Sequence, residues 1–271
     1  MFIEQSHNTL FEQQGYVVLP LLEQKDISYL ESLYIESASD AQVKEPFYTS
    51  VWSPNRAYRK FVYEKVSPIM FNQVAKFLLD SEPIFSNFHV KKSGGDSALI
   101  PHQDWNFVDE TKHQSMTIWC PLTNVDEKNG ALQVVSGSHR MNNYVRGRFF
   151  DSPFENIRDT VVKAKMTSIP MKTGEAIFFH SRLIHASSPN FSNNTRVAAS
   201  VVVVPNGTPI VHDVLDRKSA TVKRMKVTPD FFYNYSCYDD LLGIAGIEQG
   251  TYRYEAISGI ELDAVCGKRH Y

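Results

Sequence analysis

The sequence predicts a mainly β protein of jelly-roll type with helices packed on one outer face. Three observations carry that prediction. From about residue 84 the chain is a succession of short apolar runs bounded by Gly, Pro, Asn and Asp, helical spacing is confined to the first third, and no repeat, low-complexity tract or long linker divides the 271 residues. A single domain over 1–271 follows as the simplest organisation.

Taken in order, "GYVVLPLL" reads as a short strand. "EQKDISYLESLYIESA" then sets Ile27, Leu30, Leu33 and Tyr34 at helical spacing behind Asp26 as N-cap, and "SPIMFNQVAKFLLD" is a second helix. The runs "IFSNFHVKK", "SMTIWCPL", "ALQVVSG", "EAIFFH", "LIHASS" and "RVAASVVVV" are the strands of the jelly roll. Between the third and fourth of these lies "MNNYVRGRFFDSPFENIRDTVVKAKM", long, aromatic and carrying Arg146, Arg148 and Arg158. Insertions of that length are often lids, so residues 141–166 are a candidate lid, with Arg146 and Arg148 placed to meet an anionic group and Phe107 to line an apolar contact. The aromatic stretch "DFFYNYSCYDDLLGIAGIEQGTYRYE" either closes over a pocket or forms a contact between subunits; the sequence leaves the oligomeric state open.

Composition narrows the partner. The formal net charge is −2 and the basic residues are dispersed, so neither nucleic acid nor an anionic membrane surface is expected. The longest apolar run, "VAASVVVV", is too short to cross a bilayer. The three cysteines, Cys120, Cys237 and Cys266, form no CxxC pair, and the polar opening "MFIEQSHNTLFEQQ" has no signal-peptide pattern. Together these favour a reducing, cytoplasmic setting and a small-molecule partner.

The chemistry-bearing pattern begins at "HQD". On a strand, residues i and i+2 share a face, so His102 and Asp104 can reach one ion while Gln103 points away. Far along the chain, "GEAIFFHSRLIHASSPNFSNNTRVAAS" offers a further histidine, His180 or His185, and then Arg196 at the start of an apolar strand. Two histidines and a carboxylate on one face leave three adjacent positions open, the facial triad of non-haem Fe(II) oxygenases. An arginine fork can grip the distal carboxylate of an organic diacid.

From residue 101 to 203 the chain resembles the phytanoyl-CoA dioxygenase family of Fe(II)/2-oxoglutarate oxygenases, through "HQD", "WCPLTNVDEKNGALQVVSGSHR", "GEAIFFHSRLIHASSPN" and "TRVAAS", with "LFEQQGYVVLPLL" as a matching start. The resemblance implies a double-stranded β-helix, cupin-like core, bound Fe(II), and 2-oxoglutarate and dioxygen as co-substrates. It implies His102, Asp104 and His185 as iron ligands, because the family's iron-binding histidine is the one followed eleven residues on by arginine, here Arg196. His180 is then a packed or hydrogen-bonded residue, and His139 in "GSHR" part of a turn. Arg196 would hold the co-substrate's distal carboxylate with Ser187 as hydroxyl partner, Trp119 would line that pocket, and Lys92 falls near a lysine the family often carries, with Lys91 adjacent to it. Ser136 stands where the family usually has proline, which alters a turn and leaves the chemistry untouched. Asp104 disfavours halogenation, since related halogenases lack the carboxylate.

The implied reaction is hydroxylation of an unactivated C–H bond of a small metabolite or biosynthetic intermediate, with release of succinate and carbon dioxide. Two other readings use the same residues: a zinc-dependent, non-redox cupin-like enzyme, which leaves Arg196 and Ser187 without a role, and a metal-free binding module, in which His102 and Asp104 are a surface pair.

Overall fold

The computed structural model describes residues 2–141, 144–244 and 246–266. Strands β1 (Tyr16–Pro20), β2 (Phe47–Thr49), β3 (Ser81–Lys91), β4 (Leu99–His102) and β5 (Met116–Pro121) are followed by β6 (Leu132–Val134), β7 (Thr167–Ile169), β8 (Glu175–His180), β9 (His185–Ser187) and β10 (Arg196–Pro205). Six of them form a larger sheet in the order β1-β8-β5-β10-β3-β2, and four form a smaller one, β4-β9-β6-β7. The strands pair antiparallel within both, so each apolar run read from the sequence is a strand of the expected mainly β jelly roll. β11 (Ile210–Asp216), β12 (Thr221–Val227) and β13 (Ile247–Thr251) make a third sheet that the sequence reading did not foresee.

Period-two alternation decides what the larger sheet shows to each side. Phe88, Val90, Ile118, Cys120, Phe178 and Ala199 join Leu30, Val62, Val66 and Met70 in the core beneath the helices. Their alternates Asn87, His89, Thr117, Trp119 and Phe179 line the space between the sheets. Because both faces are covered, the strands read as nearly continuous apolar runs.

The helices of the first third are α1 (Gln5–Gln14), α2 (Gln24–Ser37) and α3 (Arg56–Val74); α4 (Lys163–Lys165), α5 (Phe231–Asn234) and α6 (Gly259–Cys266) follow later in the chain. α1 was not anticipated, its sequence being largely polar; Gly15 ends it in the left-handed region at φ 83°, where a side chain would be strained. In α2 the N-cap is Glu23, and Asp26 instead occupies the third helical position, the two forming a capping box. α3 starts eleven residues before the expected Ser67, because the Asn55 side chain caps it by accepting from the Ala57 and Tyr58 amides, and it carries Pro68 within its length.

Behind the sheets, the His139 and His180 rings lie 5.6 Å apart, with His180 stacked on Phe11 and its Nδ1 accepting from the Arg182 amide at 3.0 Å. Burial pushes His180 down to about 2 and His139 down to about 4. In the unfolded chain both take up a proton near pH 6.5, which the folded state refuses. Stability is therefore complete above about pH 6.5 and falls below it; at pH 5 each ring favours unfolding by about 2 kcal/mol. The urea midpoint is expected to be clearly lower at pH 5 than at pH 7, and equal midpoints would contradict this burial of neutral rings.

Candidate active site

β4 and β9 lie side by side, and their antiparallel register sets His102 opposite His185. The two imidazole centroids are 4.2 Å apart. Asp104 comes just after the end of β4, where its amide donates to the Ser181 carbonyl at 3.0 Å. Its Oδ1 is 3.7 Å from His185 Nε2. One donor atom from each of His102, Asp104 and His185 lies within 4.8 Å of the others, close to the roughly 4.4 Å that two ligands at about 2.2 Å from one ion can span.

Hydrogen bonds prepare each donor. His102 Nδ1 is 2.9 Å from the Ile100 carbonyl, and His185 Nδ1 is 2.9 Å from the Leu183 carbonyl. A carbonyl only accepts, so each ring keeps its proton on Nδ1 and presents the Nε2 lone pair. Burial, with the neighbouring His185 adding to it, pushes His102 down to about 4 and keeps the ring in the neutral form that binds metal. Thr117 Oγ1 donates to Asp104 Oδ2 at 2.8 Å, leaving Oδ1 on the side of His185. Thr117→Val removes that donor at nearly constant volume and should weaken metal binding by about 10–100-fold, measured by competition with a chromogenic chelator. Unchanged affinity would remove Thr117 from the site.

A cavity of about 230 Å³ lies over these three donors, and Arg196, Ser187 and Trp119 also line it. Arg196 is 3 % exposed and has no carboxylate partner among the described residues. Its two Nη atoms make long hydrogen bonds of 3.3 Å to the His89 and Gly130 carbonyls, Nε has no partner, and the guanidinium lies 5.2 Å over the Trp119 ring. Burial pulls it down to about 9. A desolvated charge without a counter-ion is costly, so this environment suits an incoming carboxylate. The donor set suits a divalent metal in the same way: neutral imidazoles and a carboxylate, with room beside them.

The remaining sequence-derived candidates separate cleanly. Ser187 is buried and lies two residues beyond His185 on β9. Lys92 is not at the cavity; its Nζ donates to the Val43 and Lys44 carbonyls at 3.2 and 3.0 Å. Lys91 is the buried one, caged by the Ser97, Ser187 and Ser188 carbonyls and pushed down to about 7 by burial and by Arg196. Gln103 does border the cavity, because the strand ends at His102 and alternation ends with it. His180 and His139 lie outside the cluster. Phe107 lines the cavity as expected.

Two arginines of the insertion do other work. Arg146 is buried, pairs with Glu110 at 2.7 Å and donates through Nε to the Asp104 carbonyl at 2.8 Å, so it braces the loop that carries Asp104. Arg158 pairs with Glu155. Met141, Phe154 and Val162 pack with Val135, Ile184 and Leu262 in a core of their own, while Asn142 and Asn143 lie outside the described residues. From the C-terminal stretch, Phe232 enters the cavity wall and stacks on Phe85 at 4.5 Å; Ala245 lies outside the described residues. Asn87, His89 and Thr117 are cavity residues that the sequence reading missed. The available signal was alternation along β3 and β5, in register with Trp119.

Fold and site together define a class, that of jelly-roll proteins with the arrangement of the 2-oxoglutarate oxygenases. Residues 41–198 match the phytanoyl-CoA dioxygenase (PhyH) family, and the chain belongs to it. A phytanoyl-CoA dioxygenase of Arabidopsis thaliana is 31% identical over 181 residues, a match spanning 61% of this chain and 61% of that protein. The match to phytanoyl-CoA dioxygenase 1 of Oryza sativa subsp. japonica is 28% identical and spans 45% of this chain and 44% of that one. Among solved structures, EctD from S. alaskensis with 2-oxoglutarate and 5-hydroxyectoine shares the fold at a TM-score of 0.55 and 19% identity, covering 77% of this chain and 78% of that one. The non-heme alpha ketoglutarate dependent carbocyclase SnoK from nogalamycin biosynthesis does so at 0.56 and 18% identity, covering 78% and 86%. Among the described residues no helix is long and apolar enough to cross a membrane.

Proposed function

We propose that the protein is an Fe(II)/2-oxoglutarate-dependent dioxygenase that hydroxylates an unactivated C–H bond of a small metabolite or biosynthetic intermediate. Substrate, 2-oxoglutarate and O2 would give alcohol, succinate and CO2. The observation that carries this reading is Arg196, a buried guanidinium without a counter-ion among the described residues, in the same cavity as the His102, Asp104 and His185 donors. Family membership and the 2-oxoglutarate held by EctD support it.

His102, Asp104 and His185 would hold ferrous iron through two Nε2 atoms and one carboxylate oxygen. Arg196, with Ser187 beside it, would take the far carboxylate of 2-oxoglutarate, and Trp119 would fix the plane of the guanidinium from below. When bound, iron and 2-oxoglutarate supply the oxidising power for dioxygen chemistry. The protein's part is alignment and dryness: Phe47, Trp52, Phe85, Phe107 and Phe232 wall the cavity with apolar surface that keeps bulk water from the reacting C–H bond. No residue is required as nucleophile or general base.

Phytanoyl-CoA itself is not implied, because one fold serves many substrates. We place the enzyme in the cytoplasm, which suits three cysteines that are all unbonded. The functional test is O2-dependent release of succinate from 2-oxoglutarate by the iron-loaded protein, measured with the zinc-loaded form alongside. Succinate from the iron form alone is expected. Substrate turnover without succinate, equal for zinc and iron, would favour the non-redox enzyme.

A further inference from the structure

Val51, Trp52, Trp105 and Phe232 border both the main cavity and a neighbouring side cavity of about 30 Å³. Its polar lining includes His212 and Arg148, two residues with no part in the metal or co-substrate sites. His212 is 1 % exposed, and neither ring nitrogen has a hydrogen-bond partner among the described residues. Trp105 at 5.1 Å and Phe231 at 5.0 Å box the ring in, so its orientation is set by packing alone. Burying both nitrogens unsatisfied is unfavourable and calls for a ligand group.

Arg148 is buried as well, yet its history differs from that of Arg146 two residues before it. Arg146 has Glu110 as counter-ion, whereas Arg148 donates to the Asp239 carbonyl, lies over the Phe149 ring and has no carboxylate partner among the described residues. Main-chain bonds hold it in place: its amide donates to the Asp213 carbonyl and its carbonyl accepts from the Leu215 amide, both at 3.0 Å. A fixed cation and a fixed unsatisfied imidazole thus line a side cavity that shares the aromatic wall of Trp52, Trp105 and Phe232 with the cavity bordered by Asp104.

We infer that this side cavity is a substrate-recognition subsite for a carboxylate, carried by a small substrate with an aromatic or alicyclic ring. Arg148 supplies the charge and His212 a hydrogen bond, while the ring lies among Trp52, Trp105 and Phe232 and the carbon to be oxidised lies over the metal ligands. A carboxylate fits better than a phosphate, because the space is small and a single guanidinium faces it. The inference rests on the proposed oxygenase function only in taking the ligand to be the substrate.

The test uses the full chain with Fe(II) and saturating 2-oxoglutarate under nitrogen, so that Arg196 is occupied, and compares 3-phenylpropionate with 3-phenylpropan-1-ol by calorimetry. The wild type should bind the acid at least about tenfold more tightly, or about 1.4 kcal/mol. His212→Phe, which keeps the ring volume, and Arg148→Gln should each reduce that preference severalfold or more while 2-oxoglutarate affinity, the check on folding, stays the same. Equal affinities for acid and alcohol in the wild type, binding of neither, or a preference that survives both substitutions would overturn the subsite. Failure of the oxygenase reading shows separately, as absence of 2-oxoglutarate binding in the wild type. Acid binding that then persists in Arg196→Ala upholds the subsite, and acid binding lost with Arg196 overturns it.

Discussion

Asp104→Ala is expected to abolish turnover and to lower metal affinity by more than the about 10–100-fold that follows loss of an outer-shell partner. The carboxylate is the only anionic donor of the three, set between His185 Nε2 at 3.7 Å and the Thr117 hydroxyl at 2.8 Å. Removing it leaves two neutral imidazoles to hold a dication. Asp104→Asn is the informative companion, since it keeps the shape and can still accept from Thr117 but carries no charge. If charge at the metal is what matters, both variants fail in metal binding by equilibrium dialysis while retaining the wild-type thermal transition of the metal-free protein. Turnover near the wild-type level in Asp104→Ala would remove Asp104 from the site.

Arg196→Ala is expected to have opposite effects on binding and on folding. The guanidinium is buried and answered by two carbonyls at 3.3 Å and the face of Trp119, with no carboxylate among the described residues, so its removal relieves the metal-free protein of an unpaired charge. The melting temperature without ligand should stay constant or rise. Binding of 2-oxoglutarate should weaken by at least about thirtyfold, the lower end of the 2–5 kcal/mol range for truncating one partner of a buried charge pair. Arg196→Lys retains charge without the planar fork and should fall between. A variant that binds 2-oxoglutarate as tightly as the wild type would leave this arginine to be explained in another way.

How much of this could be read from the chain depends on how local each feature is. His102 and Asp104 are two residues apart, so strand periodicity was enough to suggest their meeting, although the strand ends at His102 and Asp104 is held just past it by its amide bond to the Ser181 carbonyl. His185 and Arg196 are 83 and 94 positions beyond His102; their meeting depends on the pairing of β4 with β9 and of β10 with β3, for which the resemblance stood in. Lysine register could not be read at all: Lys91 and Lys92 are adjacent on a strand end, and only the β3–β10 ladder, which pairs Lys91 with Arg196, shows which of them is buried. The insertion arginines look alike in sequence, yet Glu110, 36 residues from Arg146, neutralises one of them and not the other. The same blindness applies to His212, whose significance lies in partners it lacks.

The central claim is that His102, Asp104, His185 and Arg196 together receive a metal and a keto diacid. Anaerobic titration of the purified protein with Fe(II) and then 2-oxoglutarate tests it most directly, followed through the weak visible metal-to-ligand charge-transfer band of a chelated keto acid. A band that requires both additions, and that in Arg196→Ala needs far more 2-oxoglutarate to develop, is the predicted result. No band in the wild type at saturating 2-oxoglutarate, with zinc bound tightly by the same protein, would contradict it.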